Sequence, residues 1–225
     1  MDLNKLLAQM ALELSEHETS EDTLDAVSQY ARVAVNAEEA GVMLVHARGK
    51  IETPAATSKQ VDEAHQLQAT YGEGPCLAAV EGGDEIYVVR NTLGDERWPR
   101  WGKAAYELGY MSVVSASLHT SSRRIGSLNV YSRRVDAFDD ADVDVVGLLS
   151  GHASVAIAAS STKEELHKAL GTRTLIGQAE GILMFALDVD ATQAFAYLRR
   201  LSQDQNVKLV DVAREIVENP SDLRR

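Results

Sequence analysis

The sequence predicts an α+β fold in which a mostly antiparallel sheet with flanking helices is followed by a long helix and a C-terminal three-helix bundle. Segments typical of strands alternate with helical segments too irregularly for a doubly wound parallel sheet. A proline-free stretch from Asp139 to Leu170 then keeps a helical pattern throughout. The chain has 225 residues, of which 45% are hydrophobic and 25% charged, enough for one large domain or two modest ones.

Local signals predict the elements of the sheet part in order. Thr19 precedes acidic residues, as expected for the N-cap of a helix. Pro99 suits the first turn of a later helix, because its missing N–H would be unpaired there in any case. Short runs rich in β-branched residues and bounded by turn residues indicate strands. The predicted helices cover residues 4–14, 19–35, 60–69 and 100–108, and the predicted strands cover residues 40–47, 85–89, 110–120 and 124–132.

The long helix, predicted over residues 139–187, contains a weak heptad pattern. The positions recur at alternating spacings of four and three, as in a coiled coil, but include Ala, His and Lys. We expect this seam to pair with its copy in a second subunit, whereas packing of its first half on the chain's own sheet is the alternative. The seam consists of Val145, Leu149, His152, Ala156, Ala159, Lys163, Leu166 and Leu170.

Two further helices complete the C-terminal part. Asp190 is predicted to cap the first of them, with Gln193 three residues on as its capping-box partner. Asn206 is predicted to cap the last helix, and Pro220 lies just beyond its end. Together with the end of the long helix, these segments predict a compact three-helix unit.

Composition excludes several classes of protein. The formal net charge is -12, although from Leu170 onward the chain carries seven Lys/Arg and eight Asp/Glu and is nearly neutral, so any basic surface for nucleic acid must be local. One cysteine excludes a disulfide framework, and the scattered histidines show no metal-ligand spacing. We find no signal peptide, no apolar run near the ~20 residues of a membrane span, and no catalytic or nucleotide-binding motif. We therefore expect a cytoplasmic protein that is not an enzyme, holds no metal and does not insert in a membrane.

Some residues of the sheet part are candidates for a ligand pocket. Cys76 follows a Gly-rich loop and begins a short helix, where a thiol can have a lowered pKa and sense redox state; a small buried side chain is the alternative. Both tryptophans lie in GDERWPRW and either wall a pocket or anchor a loop on the sheet. A histidine on a strand is either a ligand or a satisfied core or edge residue. The candidate pocket residues are Tyr71, Cys76, Trp98, Trp101 and His119.

Two parts of the chain resemble known families. The C-terminal sixty residues resemble the ANTAR domain, an RNA-binding antiterminator module. The residues that match are Arg173, Ile176, AxGILM (179–184), AFxxLRRLSQ (194–203), Asn206, Lys208 and DVA (211–213). The N-terminal part resembles a GAF sensor domain of the type found ahead of ANTAR in actinobacterial regulators. Its matching residues are GEGPC (72–76), RWP (97–99), GSLNVYS (126–132) and AF (137–138).

The resemblance implies both a domain arrangement and an activity. Residues 1–160 would form the GAF-like sensor and residues 161–225 the ANTAR domain, with the long helix bridging them. ANTAR domains, commonly as dimers, bind paired RNA hairpins in nascent leader transcripts and prevent a terminator hairpin from forming. The GAF domain would receive a small ligand, not identified by the sequence, or a partner protein; no DNA is expected. The alternatives are a protein-interaction regulatory module or a Cys76-based redox sensor without RNA binding.

A set of polar residues in the C-terminal part suits RNA recognition. Phosphate contacts need Lys or Arg, and loop bases are read by stacking and hydrogen bonds. Arg199 and Arg200 are about 100° apart on a helix. The alternatives to RNA contact for this doublet are a protein interface and a solvated helix face. Glu180 departs from the family pattern, since many members carry a basic residue there. The candidate RNA-binding residues are Arg173, Gly181, Arg199, Arg200, Gln203, Asn206 and Lys208.

Overall fold

A computed structural model describes residues 3–17, 19–46, 50–82, 85–121 and 124–220. The described residues form one five-stranded sheet with the order β2-β1-β5-β4-β3, in which every neighbouring pair is antiparallel. The strands are β1 (Glu39–Val45), β2 (Ile51–Ala56), β3 (Ile86–Val89), β4 (Ser112–His119) and β5 (Arg124–Ser132). The predicted sheet is confirmed; Ala47, the last residue of the first predicted strand, lies outside the described residues.

Eight helices lie in the described part of the chain, and a short 3-10 helix, Thr92–Gly94, precedes the fifth. Thr19 caps α2 as predicted, with its Oγ1 accepting from the Asp22 N–H at 3.1 Å. The helices are α1 (Leu3–Glu16), α2 (Ser20–Ala34), α3 (Lys59–Tyr71), α4 (Pro75–Glu81), α5 (Pro99–Glu107), α6 (Asp140–Leu187), α7 (Ala191–Gln205) and α8 (Leu209–Glu218). Helices before, between and after the strands make the fold α+β, as predicted.

Alternation along the central strands divides the buried residues between the two sheet faces. Because successive side chains on a strand point to opposite faces, Val114 and Ala116 of β4 join a core with α1, α2 and the start of α6. Val113 of β4 and Tyr131 of β5 face the other way and join a second core with α3 and α5. Helices therefore cover both faces of the sheet.

The chain divides into two compact units, Met1–Thr162 and Lys163–Arg225, and α6 contributes residues to both. The second unit has its own small core, made by α7, α8 and the last part of α6. Apolar side chains at helical spacing on all three segments build this core. Its buried members are Ala179, Leu183, Ala194, Leu198, Val212, Ala213 and Ile216. The predicted three-helix bundle is thus present.

The first half of α6 uses one apolar face within its own unit. Leu149 is 1% exposed and lies with Val146 and Ala153 in the core that contains the sheet. Leu148 and Val155, which the predicted seam omitted, are instead 49% and 70% exposed. The predicted seam is therefore wrong at Leu149. Two apolar stripes run side by side on this part of α6, and the stripe that contains Leu149 packs in the core with the sheet. The alternative, packing of this half on the chain's own sheet, is correct.

The end of α7 also differs from the prediction. Asn206 is the C-cap of α7, with a left-handed backbone at φ 53° and ψ 39°, and not the N-cap of the last helix. Lys208 precedes α8 in the N-cap position instead. Asn is favoured at both kinds of cap: at an N-cap its side-chain oxygen can accept from helix N–H groups, and at a C-cap its short amide tolerates the left-handed region. The Asp190–Gln193 capping box at the start of α7 is present as predicted.

Helix α6 is also apolar enough, by length and composition alone, to cross a bilayer, contrary to the expectation that no segment of the chain would be. An 18-residue window within it has a mean hydropathy of 1.5, and 39% of that window is buried inside the protein. Alanine and other small residues raise the hydropathy without forming a run of large apolar side chains. The core helix of a soluble protein passes the same test.

Candidate functional site

Helix α7 presents the arginine doublet on its outer face. Ala194 and Leu198 are buried in the core of the second unit, and at 100° per residue Arg199 and Arg200 lie on either side of the opposite direction. Both arginines are exposed. Gln203, one turn further on, lies between their two directions and is also exposed. The three side chains therefore share one solvent-facing surface.

The turn after α7 adds two more polar groups next to this surface. Asn206 and Lys208 are both exposed. The Ser202 hydroxyl donates to the Val207 carbonyl at 2.6 Å, and the Val207 N–H donates to the Ser202 carbonyl at 3.1 Å. These paired hydrogen bonds fix the turn against the end of α7. The turn thereby holds Asn206 and Lys208 in a defined position beyond the arginines.

The cations of this surface form no ion pairs with the described residues. No ion pair among the described residues involves Arg199, Arg200 or Lys208. The Arg200 guanidinium lies 5.5 Å from the centroid of the Tyr197 ring, a distance compatible with a cation–π contact. By contrast, Arg214 of α8 pairs with Asp211 at 2.6 Å. Unpaired exposed cations are what contact with a polyanion requires.

The two candidate residues on α6 lie in different grooves. Arg173 lines a groove with Glu180 and with Phe195 of α7. Gly181 lines a second, mostly apolar groove with Phe185 and with the end of α8. A Cβ added at Gly181 would meet no atom within 4 Å, so packing within the chain does not require glycine there. The structure thus groups Arg173 with a carboxylate and an aromatic ring, apart from Gly181.

In the first unit, Cys76 is fully buried at the start of α4. Gln68 of α3 surrounds it: the Gln68 Oε1 accepts from the Cys76 N–H at 2.9 Å, and its Nε2 lies 2.7 Å from Sγ. Ser115 Oγ is 3.4 Å from the sulfur. Burial raises the pKa of the Cys76 thiol, and this effect is larger than the lowering of the pKa by these hydrogen bonds. The pKa is therefore raised and not lowered as a redox-sensing thiol at a helix start would require.

The other pocket candidates fall into two places. Trp98, Trp101 and Tyr71 belong to the core between α3, α5 and the sheet. Trp101 is fully buried, and its indole N–H donates to the Ala64 carbonyl at 3.1 Å. His119, the last residue of β4, belongs to neither this core nor the Cys76 group. Its Nε2 lies 3.7 Å from Oε1 of Glu85. The structure brings the aromatic candidates together and leaves His119 apart.

A buried polar surface on the sheet was not identified from the sequence. The sheet face toward α3 carries small polar side chains that are fully or almost fully buried. Their signal was available, since Ser115 and Ser117 in SVVSASL, and Ser127 and Asn129 in GSLNVYS, are two residues apart. Such spacing alone does not distinguish a buried polar face from an exposed one. These residues are Ser115, Ser117, Ser127 and Asn129, with His65 and Gln68 facing them from α3.

His65 is held neutral at this surface. Its Nε2 accepts from the Asn129 amide at 3.1 Å, which leaves Nδ1 to donate to the Thr53 hydroxyl, also at 3.1 Å. Burial lowers the pKa of His65 to about 4, against a smaller opposing effect of Asp62. A second proton on Nε2 would also face the Asn129 amide N–H group. The native structure therefore favours the neutral form of the His65 imidazole.

We expect the first unit to lose stability on acidification because of His65. The unfolded chain binds a proton below about pH 6.5, whereas the native state resists it down to about pH 4. The stabilisation is thus complete above pH 6.5, and lowering the pH from 7 to 5 should cost about 2 kcal/mol. Urea unfolding at both pH values measures this difference. His65→Gln should remove most of it, and His167→Gln, at an exposed position, should retain it; equal pH dependence in both variants would contradict the assignment.

Comparisons with known proteins divide the chain into two domains, and the boundary lies near residue 162 of α6, where the two compact units also meet. A family model described as an ANTAR domain matches residues 164–217, and one described as a GAF domain matches residues 16–158. No curated protein matches the chain.

Several solved structures are similar in fold to this chain. The GAF domain of a phosphoenolpyruvate-protein phosphotransferase from Coxiella burnetii is 17% identical, with a TM-score of 0.57 over 73% of this chain and 98% of that one. A free methionine-R-sulfoxide reductase from Neisseria meningitidis is 19% identical, with a TM-score of 0.53 over 71% and 90%. The photosensory core module of a Stigmatella aurantiaca phytochrome is 12% identical, with a TM-score of 0.60 over 89% and 44%. At these identities the likeness concerns the fold alone.

Proposed function

Because the chain belongs to the GAF domain family and carries a C-terminal ANTAR domain, we propose that it is a signal-responsive transcription antiterminator that binds RNA. The ANTAR domain binds paired hairpins in leader transcripts, and the GAF domain alters that binding in response to a small ligand or a partner protein. The observation that carries this proposal is the outer face of α7. There Arg199 and Arg200 are exposed and have no ion-pair partner among the described residues.

The parts of the chain divide between the two tasks. Residues 1–160 act as the sensor and residues 161–225 as the RNA-binding domain, with α6 transmitting the signal. GAF and ANTAR domains are regulatory, so the protein acts in the cytoplasm by binding and not by catalysis. The residues proposed to contact RNA are Arg173, Gly181, Arg199, Arg200, Gln203, Asn206 and Lys208.

Binding to a two-hairpin RNA tests the proposal. We expect the full chain to shift a synthetic RNA with two hairpins more strongly than either hairpin alone. The affinity should fall steeply with salt, because phosphate contacts release counterions. Crosslinking and sequencing of RNA bound in cells should place the contacts upstream of terminator hairpins. Absence of any complex at roughly 50 mM salt, where such contacts are strongest, would refute RNA binding.

Two copies of the chain present two ANTAR domains to the paired hairpins, and α6 supplies the dimer contact. Among its outward apolar residues are Leu148 and Val155 in the first unit and Leu166 and Leu170 in the second, each 49% to 70% exposed. Leu148 and Val155 are one heptad apart, as are the seam positions Ala159 and Leu166. Large apolar side chains left in water at such spacing are typical of a helix-pairing surface.

We expect Val155→Glu combined with Leu166→Glu to dissociate the dimer, since each carboxylate would be buried against its copy without a partner. The dimer dissociation constant should rise at least about tenfold in sedimentation velocity. Val33→Glu places the same charge at a 50% exposed position on α2 and serves as the control. Unchanged sedimentation of the double variant would exclude α6 as the contact.

A further inference from the structure

We propose that the groove between α6 and α7 holds a single unpaired RNA base and selects bases that carry an amino group. The inference rests on the proposed RNA binding and adds to it a site and a preference. It assigns roles to two residues outside the candidate set, Phe195 as the stacking surface and Glu180 as the group that reads the base.

The shape and lining of the groove suit a flat ring. It has a volume of about 510 Å³ and is lined by α6 on one side and by Phe195 of α7 on the other. The Phe195 side chain is 39% exposed. Unpaired bases of RNA stack on such aromatic rings. Small groups at Ala169 and Gly177 leave the opposite wall open to the ring.

Glu180 gives the groove its chemical preference. Its side chain is half-buried, and no hydrogen bond or ion pair within the described residues involves its carboxylate. A carboxylate accepts hydrogen bonds only. Adenine, cytosine and guanine each offer amino N–H donors on their pairing edge, whereas uracil offers one imino N–H between two carbonyl oxygens that the carboxylate repels. The groove therefore favours an amino-bearing base over uracil.

Arg173 and Arg199 bring positive charge to the groove. Arg173 lines it two helical turns before Glu180, and Arg199 lies one turn beyond Phe195 on the same side of α7. Their charges attract the phosphates on either side of an inserted base. A carboxylate among these cations weakens attraction for RNA in general. It also rejects the wrong base, which is how specificity is obtained at the cost of affinity.

Three two-hairpin RNAs with identical stems test the preference. Their loops are all adenine, all cytosine or all uracil, and binding to the full chain is measured by fluorescence anisotropy at one salt concentration. We expect the adenine and cytosine loops to bind about tenfold more tightly than the uracil loop. Glu180→Gln, which keeps the size and replaces one acceptor by a donor, should bring the three affinities to within about twofold. A preference that survives this substitution overturns the role of Glu180.

The stacking role is tested separately with a matched pair of variants. Binding of the Phe195→Leu variant should quench the fluorescence of a 2-aminopurine in the loop less than binding of the wild type does. The variant should also bind the RNA about tenfold more weakly. Tyr106→Leu changes a 38% exposed aromatic side chain on α5, in the first unit, and should do neither. Equal effects of the two variants overturn the site. If the three RNAs bind equally well to the wild type, this inference fails and the proposed function stands; if none binds, both fail.

Discussion

A variant with alanine at both Arg199 and Arg200 is expected to lose about 100-fold in affinity for a two-hairpin RNA at low salt. The two guanidinium groups are exposed and have no ion-pair partner in the described part of the chain, so their charge is available to phosphate. A charge-assisted hydrogen bond contributes about 1.5–3 kcal/mol, and two of them account for a loss of this size. Neither arginine contributes to the core, so the fold should persist.

The salt dependence distinguishes lost phosphate contacts from other causes. The slope of log affinity against log salt should become less negative by about 0.7–0.9 for each phosphate contact removed. Arg214→Ala is the matched control, since it removes one charge from the same unit where Asp211 already pairs with it at 2.6 Å. We expect that variant to bind within about threefold of the wild type. A double variant that behaves like Arg214→Ala would show that the doublet serves a protein interface or a solvated face.

Trp101→Ala is expected to destabilise the first unit by about 3–5 kcal/mol. The side chain is fully buried, lies between α3 and the sheet, and packs with Ala64, Tyr110 and Tyr131. Its indole N–H also donates to the Ala64 carbonyl at 3.1 Å. The deletion would leave a large cavity that the surrounding helices cannot fill. Urea unfolding followed by circular dichroism measures the change.

A second substitution separates packing from hydrogen bonding at this position. Trp101→Phe keeps an aromatic ring and removes the N–H, so it should cost roughly half as much as Trp101→Ala. A loss below about 1 kcal/mol for Trp101→Ala would mean that the ring does not anchor α5. It would instead favour the other explanation for the tryptophan pair, a wall of a ligand pocket.

Most of the fold was predictable because its signals are local. The Thr19 cap of α2 and the Asp190–Gln193 box of α7 depend on residues three positions apart, and both are observed. Asn206 was assigned to the wrong helix because its local preference fits both kinds of cap. Leu149 was assigned to a dimer seam because choosing between two neighbouring apolar stripes requires the position of the sheet. Such errors arise where an element distant in the sequence determines which side chains are buried or which cap a residue forms.

The candidate sites show the same division. The exposure of Arg199 and Arg200 follows from helical period and was predictable. The neighbourhood of Cys76 was not, because Gln68, Ser115 and Tyr131 come from three different elements. The groove that joins Glu180 to Phe195 likewise needs two helices to be packed. The sequence alone showed Glu180 only as a departure from the family pattern.

The continuity of α6 also bears on how rapidly the C-terminal unit can form. The slow step in making a helix is ordering its first turn, whereas each added residue then costs little. Since α6 is one helix of 48 residues whose first part is buried beside the sheet, its last turns can grow from an existing template. Only α7 and α8 must then nucleate afresh and close over Ala179 and Leu183. An unfolding event confined to the last sixty residues would therefore be repaired quickly while the sensor remains folded.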